Sequence, residues 1–178
     1  MIFGLVGEKL SGKDTAAQFI QSKTGAVLFR HAGALDEILT MFDLPLSRSN
    51  LITLGIKLRE AFGAGVLAGW VRKQVLAQPP GTNIVITDIR YPDELQNAKS
   101  LGAKIVYITA PLETRYKRYL TRGEKPDDGQ GSFEDFAKIE QTAPTESGIA
   151  QLGSRADITI INDGTLEELH HKLDDILR

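Results

Sequence analysis

The chain has 178 residues, 42% of them apolar and 25% charged, with a net charge of −2. This is the balance of a soluble globular domain, and it excludes a global pull toward nucleic acid or an anionic membrane. There is no cysteine, which excludes structural disulfides and thiolate metal sites, and the three histidines, two of them the adjacent His170 and His171, make a poor metal set.

The predicted elements run as follows. MIFGLV is a buried strand, short and apolar, ended by Gly7. It lacks a basic leader, and no apolar stretch approaches a membrane span, so a cytoplasmic protein is the expectation. From Lys13 to about Ser22 the pattern is helical, with Ala16, Phe19 and Ile20 on one side. AVLFR (26–30) is a second strand. Residues 33–78 are mostly helical, broken at 43–49 and around Gly63 to Gly65, and QPPG (78–81) is a firm break. NIVITD (83–88) is a third strand ending in an acid. Pro92 suits the first turn of a helix that Gly102 ends. AKIVYIT (103–109) is a fourth strand, Pro111 opens another helix, and EKPDDGQGS (124–132) is a polar loop. ADITIIN (156–162) is the fifth strand. The closing helix carries Leu166, Leu169, Leu173, Ile176 and Leu177 on one stripe. Short, non-alternating strands separated by helices predict an α/β fold: a parallel sheet covered on both faces. The length fits one domain over 1–178.

GEKLSGKDT (7–15) follows the first strand and opens a helix, the context that a phosphate-binding loop requires. Gly7, Gly12 and Lys13 match that pattern. Backbone N–H groups along Glu8, Lys9 and Ser11 can cradle anionic oxygens, the helix N-terminus adds partial positive charge, and Lys13 adds a full one. Asp14 stands where a hydroxyl is usual, with Thr15 one residue late. A carboxylate is a hard ligand for Mg²⁺, and Thr15 could turn its hydroxyl to the ion. Alternatively Asp14 is an acid that stabilises the helix N-terminus.

In open parallel sheets ligands lie outside the carboxyl ends of the strands, so Asp88 can share a crevice with Lys13 and hold Mg²⁺ or its waters. Arg90 is a candidate clamp for an acceptor phosphate, because a guanidinium binds two oxygens at once; the plainer alternative is that Asp88 caps the following turn and Arg90 makes a surface ion pair. Arg115, Arg118 and Arg122 fall within about 60° on a helix, with Leu112, Tyr116, Tyr119 and Leu120 expected to pack inward beside them. This cationic edge beside a glycine-rich loop suits phosphoryl transfer, which needs positive charge around the transferring group and exclusion of water; a solvated basic face is the alternative. Region 31–78 is expected to hold the acceptor, with Arg59 a second phosphate ligand or a surface arginine. Asp36 is a conceivable base for a hydroxyl acceptor. His31 and Trp70 carry no assignment beyond a satisfied polar group and a core or pocket wall, and His170 and His171 are read as surface residues.

The SGKDT stretch resembles phage-type deoxynucleoside monophosphate kinases and animal-type phosphomevalonate kinase, which share the Gly-Lys-Asp departure. LETRYKRYLTRGEKPDD, FEDF and ADITIINDGTLEELHHKL resemble small predicted nucleotide kinases related to dephospho-CoA kinase. The chain thus resembles P-loop kinases of the nucleoside monophosphate kinase group, most clearly over 1–22, 83–140 and 156–177. The resemblance implies a three-layer P-loop fold with strand order 2-3-1-4-5, ATP–Mg²⁺ as donor, an acceptor-binding region over 31–78 and a lid over about 115–140. It implies that Lys13 neutralises the β- and γ-phosphates, that Arg90 and Arg59 hold the acceptor phosphate, that lid arginines stabilise transfer, and that Asn162, Asp163 and Gly164 lie near the adenine.

The function expected is an ATP-dependent kinase acting on a phosphate-bearing small acceptor, a nucleoside or deoxynucleoside monophosphate, with no nucleic-acid or membrane partner, as monomer or homodimer. Two alternatives stand beside it. One is a kinase for dephospho-CoA or another small metabolite, and the other an ATP-binding switch or assembly factor with slow hydrolysis.

Overall fold

The structure is a computed structural model that describes residues 1–122, 129, 131–143 and 145–178. Five parallel strands form one sheet in the order β2-β3-β1-β4-β5, where β1 is Ile2–Val6, β2 Val27–Arg30, β3 Ile84–Thr87, β4 Lys104–Thr109 and β5 Ile158–Ile161. Phe3 sits opposite Val85, Leu5 opposite Val106, Phe29 opposite Ile86 and Ile108 opposite Ile160. The strands read as continuous apolar runs because both faces are covered. Side chains still alternate. Phe3, Leu5, Val85, Val106 and Ile108 pack against α1 (Lys13–Thr24) and α9 (Leu166–Leu177). Val6, Ile84, Ile86 and Ile105 pack against α4 (Val66–Leu76), α5 (Pro92–Ser100) and α8 (Ile149–Gly153). This is the expected three-layer α/β architecture, with the expected strand order.

Between β2 and β3 lie α2 (Gly33–Met41), α3 (Arg48–Phe62) and α4, with the two expected breaks between them. They share a small core of Ala34, Leu35 and Leu67, joined by Leu51, Leu54 and Leu58. Trp70 packs into this core and into the sheet core together, so it is structural. After β4 come α6 (Leu112–Arg122) and α7 (Phe133–Thr142); no element had been expected over α7 and α8. Pro111 precedes α6 rather than entering it, accepting from Arg115 N at 3.0 Å.

Two packing expectations are corrected. On α6 the buried residues are Arg115 and Tyr119, and Leu120 is exposed. The inward face is rotated by roughly 60° from the apolar arc because Arg115 is drawn in by polar partners described below. On α9, Leu169 and Leu173 are buried but Leu166 is exposed, for it lies at the helix mouth beside the phosphate loop. His170 is not a free surface residue, since its ring stacks on Phe19 with centroids 4.2 Å apart. Among the described residues no helix is long and apolar enough to cross a membrane.

Candidate functional site

The loop between β1 and α1 is held by its carbonyls. Arg118 Nη1 donates to Leu10 O at 3.1 Å, Asn162 Nδ2 to Ser11 O at 2.8 Å, and Arg115 Nη1 to Lys9 O at 3.4 Å. Arg118 Nη2 also donates to Asn162 O at 2.8 Å, which ties the loop to the end of β5. Within the loop the Ser11 N–H donates to Glu8 O at 3.2 Å. Leu10 (φ 65) and Gly12 (φ 98) both adopt left-handed backbone, the kind of turn that forms an anion-binding nest. Only Gly12 is at ease there; a leucine in this region is strained by roughly 1–2 kcal/mol. A Cβ on Gly12 would strike Asn162 Nδ2, and one on Gly7 would strike Ile108 O. The Ser11 hydroxyl is buried without a partner.

Lys13 is 7% exposed, with its ammonium 3.6 Å from Asp14 Oδ1. Asp14 and Thr15 are exposed at the mouth of the loop. Both line a cavity of about 450 Å³ with Glu8, Gly12, Asn162 and Gly164. Glu8 contributes more than backbone: its Oε1 accepts from the Tyr107 hydroxyl. Burial, and then that carboxylate, push the Tyr107 pKa up to about 12.

A second cavity of about 290 Å³ lies over the carboxyl ends of β1, β2 and β3. Seven cationic side chains line it (Lys9, Lys13, Arg30, Arg48, Arg59, Arg90, Arg122) against four carboxylates, an excess that favours an anionic ligand. Asp88 follows β3 in a left-handed conformation, φ 58. Burial alone would raise its pKa, but Lys13, Arg90, Arg30 and His31 around it hold the carboxyl below the ordinary range. Arg90 Nη1 donates to Glu146 Oε1 at 2.7 Å and to Thr145 O at 2.9 Å. Burial would lower the Arg90 pKa, yet Glu146 and Asp88 raise it, so it stays charged. Arg59 pairs with Glu94 Oε1 at 2.5 Å and lies 4.1 Å over the Tyr91 ring. Glu94, 1% exposed, uses its other oxygen to accept from the N–H of Arg90 (2.8 Å) and of Tyr91 (3.2 Å). His31 is 2% exposed; its Nδ1 lies 3.1 Å from Thr87 O and its Nε2 has no partner.

The expected site residues therefore divide. Lys13, Asp14, Asp88, Arg59, Arg90 and Arg122 meet around one cavity, and Asp14, Thr15, Arg118, Arg122, Asn162 and Gly164 around its neighbour. Arg115 does not join the expected cationic edge. It is buried, donates to Ala110 O at 2.9 Å and pairs with Glu140; it lines neither cavity. Burial raises the pKa of Glu140 despite this partner. Burial and the nearby Arg115 lower that of Arg118. Asp36 is corrected as well, for it pairs with Arg30 at 2.7 Å and faces neither cavity. Of the expected lid loop 124–132, residues 124–128 and 130 lie outside the described residues.

Sequence reasoning missed Arg30, Arg48, Glu94, Glu140 and Glu146. Arg30 carried a usable signal, since it ends a strand on the same edge as Asp88. Glu94 stood three residues after Tyr91, a capping-box spacing. Glu146 carried none, because only the fold brings it to Arg90.

The residues fit a bound nucleotide. Lys13, Gly12, Asp14 and Thr15 around one cavity suit phosphate oxygens and their metal, while Gly7 and Gly12 are required by close packing on Ile108 O and Asn162. Among the described residues no three acidic or histidine side chains cluster as a self-sufficient metal cage. Mg²⁺ held by one or two carboxylates, waters and phosphates needs none.

No family model matches the chain. Shikimate kinase from Bacteroides thetaiotaomicron superposes over 99% of this chain and 98% of its own, with a TM-score of 0.64 and 16% identity, a likeness of fold. Among relatives, the UPF0200 protein of Sulfurisphaera tokodaii is 27% identical over 179 residues, 99% of this chain and 96% of its own length. That of Thermococcus gammatolerans is 30% identical over 138 residues, 73% of this chain and 70% of its own length. On that identity and coverage, the chain belongs to the UPF0200 family.

Proposed function

We propose that this protein is an ATP-dependent phosphotransferase. Its acceptor is a small molecule already bearing a phosphate, a nucleoside or deoxynucleoside monophosphate. One observation carries the reading: Lys13 of the phosphate loop and the arginines Arg30, Arg48, Arg59 and Arg90 of other elements line a single cavity. A nucleotide-binding switch has no need of a second cationic site facing its loop. A phosphotransferase needs one, to bring two anions together.

In this reading MgATP supplies the phosphoryl group and a divalent charge. The loop N–H groups and Lys13 hold its phosphates. Asp88, Asp14 and Thr15 attend the metal. Asn162 and Gly164 border the rest of the nucleotide. Arg90 and Arg59 take the acceptor phosphate, joined by Arg30 and Arg48. The region 31–78 is the acceptor-binding part, and α6 with α7 belongs to the lid. Arg118 and Arg122 add positive charge where the cavities meet. Arg115 acts through the loop it braces, as a positioning residue. No base is needed, because an acceptor phosphate is ionised at neutral pH.

A hydroxyl-bearing metabolite is the second reading, favoured by His31. Thr87 O can only accept, so Nδ1 carries a proton, and in the neutral tautomer of such a ring Nε2 is the acceptor a base requires. This replaces Asp36 as the candidate base.

The test is ADP release from MgATP with ribo- and deoxynucleoside monophosphates, dephospho-CoA and phosphomevalonate, in the native chain and in Lys13→Ala. Stimulation by one monophosphate, lost in Lys13→Ala, is the expected result. Stimulation by dephospho-CoA alone, whose accepting group is a hydroxyl, selects the second reading. Slow release indifferent to every acceptor overturns both and leaves a switch.

A further inference from the structure

A third cavity, of about 310 Å³, opens off the cationic one. The two share Lys9, Arg48, Ile52, Ile56, Thr145 and Glu146 in their walls, so they adjoin along this edge. Their chemistry differs. From the shared Ile52 and Ile56 of α3 the third cavity runs to Phe136 and Ile139 of α7, with Tyr119 and Ala143 beside them and the carboxylates Asp135 and Glu140 in its wall. Ile56 and Ile139 are large apolar side chains left exposed. Each compartment is near the lower size limit of a small-molecule pocket, and the two together are well inside the range.

Glu146 stands at the junction. It is buried, at 6% exposure. Its Oε1 accepts from Arg90 at 2.7 Å and lies 3.5 Å from Arg48. Its Oε2 is buried with no partner. A buried carboxylate oxygen without a donor is a vacancy for one.

Resting on the phosphotransferase reading, we infer that the acceptor's non-phosphate part is a flat apolar ring with an N–H donor. The ring enters the space between α3 and α7, and its N–H meets Glu146 Oε2. Glu146 is then the residue that sets specificity, and a nucleobase with a donor on its edge is the substrate class. The phosphate stays with Arg59 and Arg90, so one wall reads charge and the other reads the ring. A carboxylate cannot donate, so a ring offering only acceptors at that position is rejected.

Glu146→Gln gives a sharp test. Arg90 can only donate, so the glutamine oxygen must face it, and the amide NH₂ falls where Oε2 was. The site changes from acceptor to donor with its shape kept. Binding is measured without ATP, by calorimetry on the whole chain, for the nucleoside 5′-monophosphates, ribose 5-phosphate and purine riboside 5′-monophosphate, a ring with no N–H donor. MgATP binding is measured separately.

In the native protein the best base-bearing monophosphate should bind at least about tenfold tighter than ribose 5-phosphate, and at least about tenfold tighter than its counterpart with the donor removed or methylated. Glu146→Gln should abolish the second preference; it also removes the carboxylate paired with Arg90, which shifts ribose 5-phosphate and every base-bearing monophosphate together, so the ratio between donor-bearing and donor-lacking ligands is the readout. Ile139→Trp, which fills the apolar space from an exposed position, should abolish the first.

If ATP binds but no base improves on ribose 5-phosphate, the inference is overturned and the phosphotransferase reading stands. The same holds if Glu146→Gln leaves the donor preference intact. If ATP does not bind, the phosphotransferase reading falls and takes the inference with it.

Discussion

The two halves of the site are built by different means. The phosphate loop is shaped by backbone: a strained Leu10, a left-handed Gly12, and carbonyls tied outward by Arg115, Arg118 and Asn162. The cationic cavity beside it is shaped by charge pairs. Arg30 with Asp36, Arg59 with Glu94, and Arg90 with Glu146 each join residues from separate elements or loops. A backbone cradle recognises phosphate in general, because N–H groups read only negative charge. A set of paired arginines is held in place until an anion competes for them, and its layout can encode a particular ligand. One half therefore suits a common donor and the other a chosen acceptor.

The largest expected effect tests the cradle half. Lys13→Ala should lower the rate of phosphoryl transfer by about 10³-fold, about 4 kcal/mol, with little change in fold. If acceptor-dependent ADP release survives, the loop is not where the chemistry happens.

The next effect is one of stability and belongs to the charge-pair half. Glu94→Ala leaves Arg59 without its buried partner and two backbone N–H groups without an acceptor. It should destabilise the fold by about 3 kcal/mol, roughly 10 °C in Tm, by calorimetry or urea titration. A change below about 1 kcal/mol would mean that Arg59 reaches solvent or another acid, and that the pocket is not set by these pairs.

The difference between the halves also explains what was legible in sequence. The strand, glycine turn, lysine and helix are contiguous, so GEKLSGKDT could be read as a phosphate cradle from spacing alone. Asp88 was legible for a similar reason, since a strand's carboxyl end fixes where the next residue lies. The pairs are not contiguous: Arg90 and Glu146 are 56 residues apart, and Arg59 and Glu94 are 35 apart. Each partner alone looks like a surface charge. Arg115 misled for another reason. Helical periodicity gave its angle on α6, but the apolar residues could not reveal that Ala110 O, Lys9 O and Glu140 outweigh Leu120 in deciding which face turns inward. The parallel sheet was visible because both-face burial writes continuous apolar runs; α7 and α8 were not, since α7 buries Phe136 alone and so shows no apolar stripe, and α8 is five residues long.

A smaller effect sharpens the distinction within the cradle. Arg118→Ala removes donors to Leu10 O and Asn162 O but leaves Lys13 in place. It should weaken ATP binding by about tenfold, about 1.4 kcal/mol, with acceptor affinity in the absence of ATP unchanged. Asn162→Ala, which frees Ser11 O, should behave alike. If either variant weakens the acceptor instead, Arg118 and Asn162 serve the pocket and not the loop.

The smallest effect lies in a narrow pH window and concerns the residue that both halves share. Asp88 is held below its ordinary pKa of 3.8 by Lys13 of the loop and by Arg90 and Arg30 of the pocket, which together overcome its burial. Between 3.8 and that lower folded value, the unfolded chain binds more protons than the folded one. The contribution of Asp88 to stability is thus fully present above 3.8 and is lost as pH falls through the folded value. Asp88→Asn has no such charge. Urea unfolding of both proteins from about pH 6 to about pH 2 should give a stability difference that is flat at first and then shrinks on acidification. A difference that stays flat throughout would mean that Asp88 is not charge-paired in the folded state. Repeating the titration in Lys13→Met and in Arg90→Met backgrounds separates the halves. The background in which the shrinkage is lost identifies which side holds the carboxylate. If Lys13 does, Asp88 is part of the cradle and poised for the metal. If Arg90 does, it belongs with the pairs that an acceptor must displace.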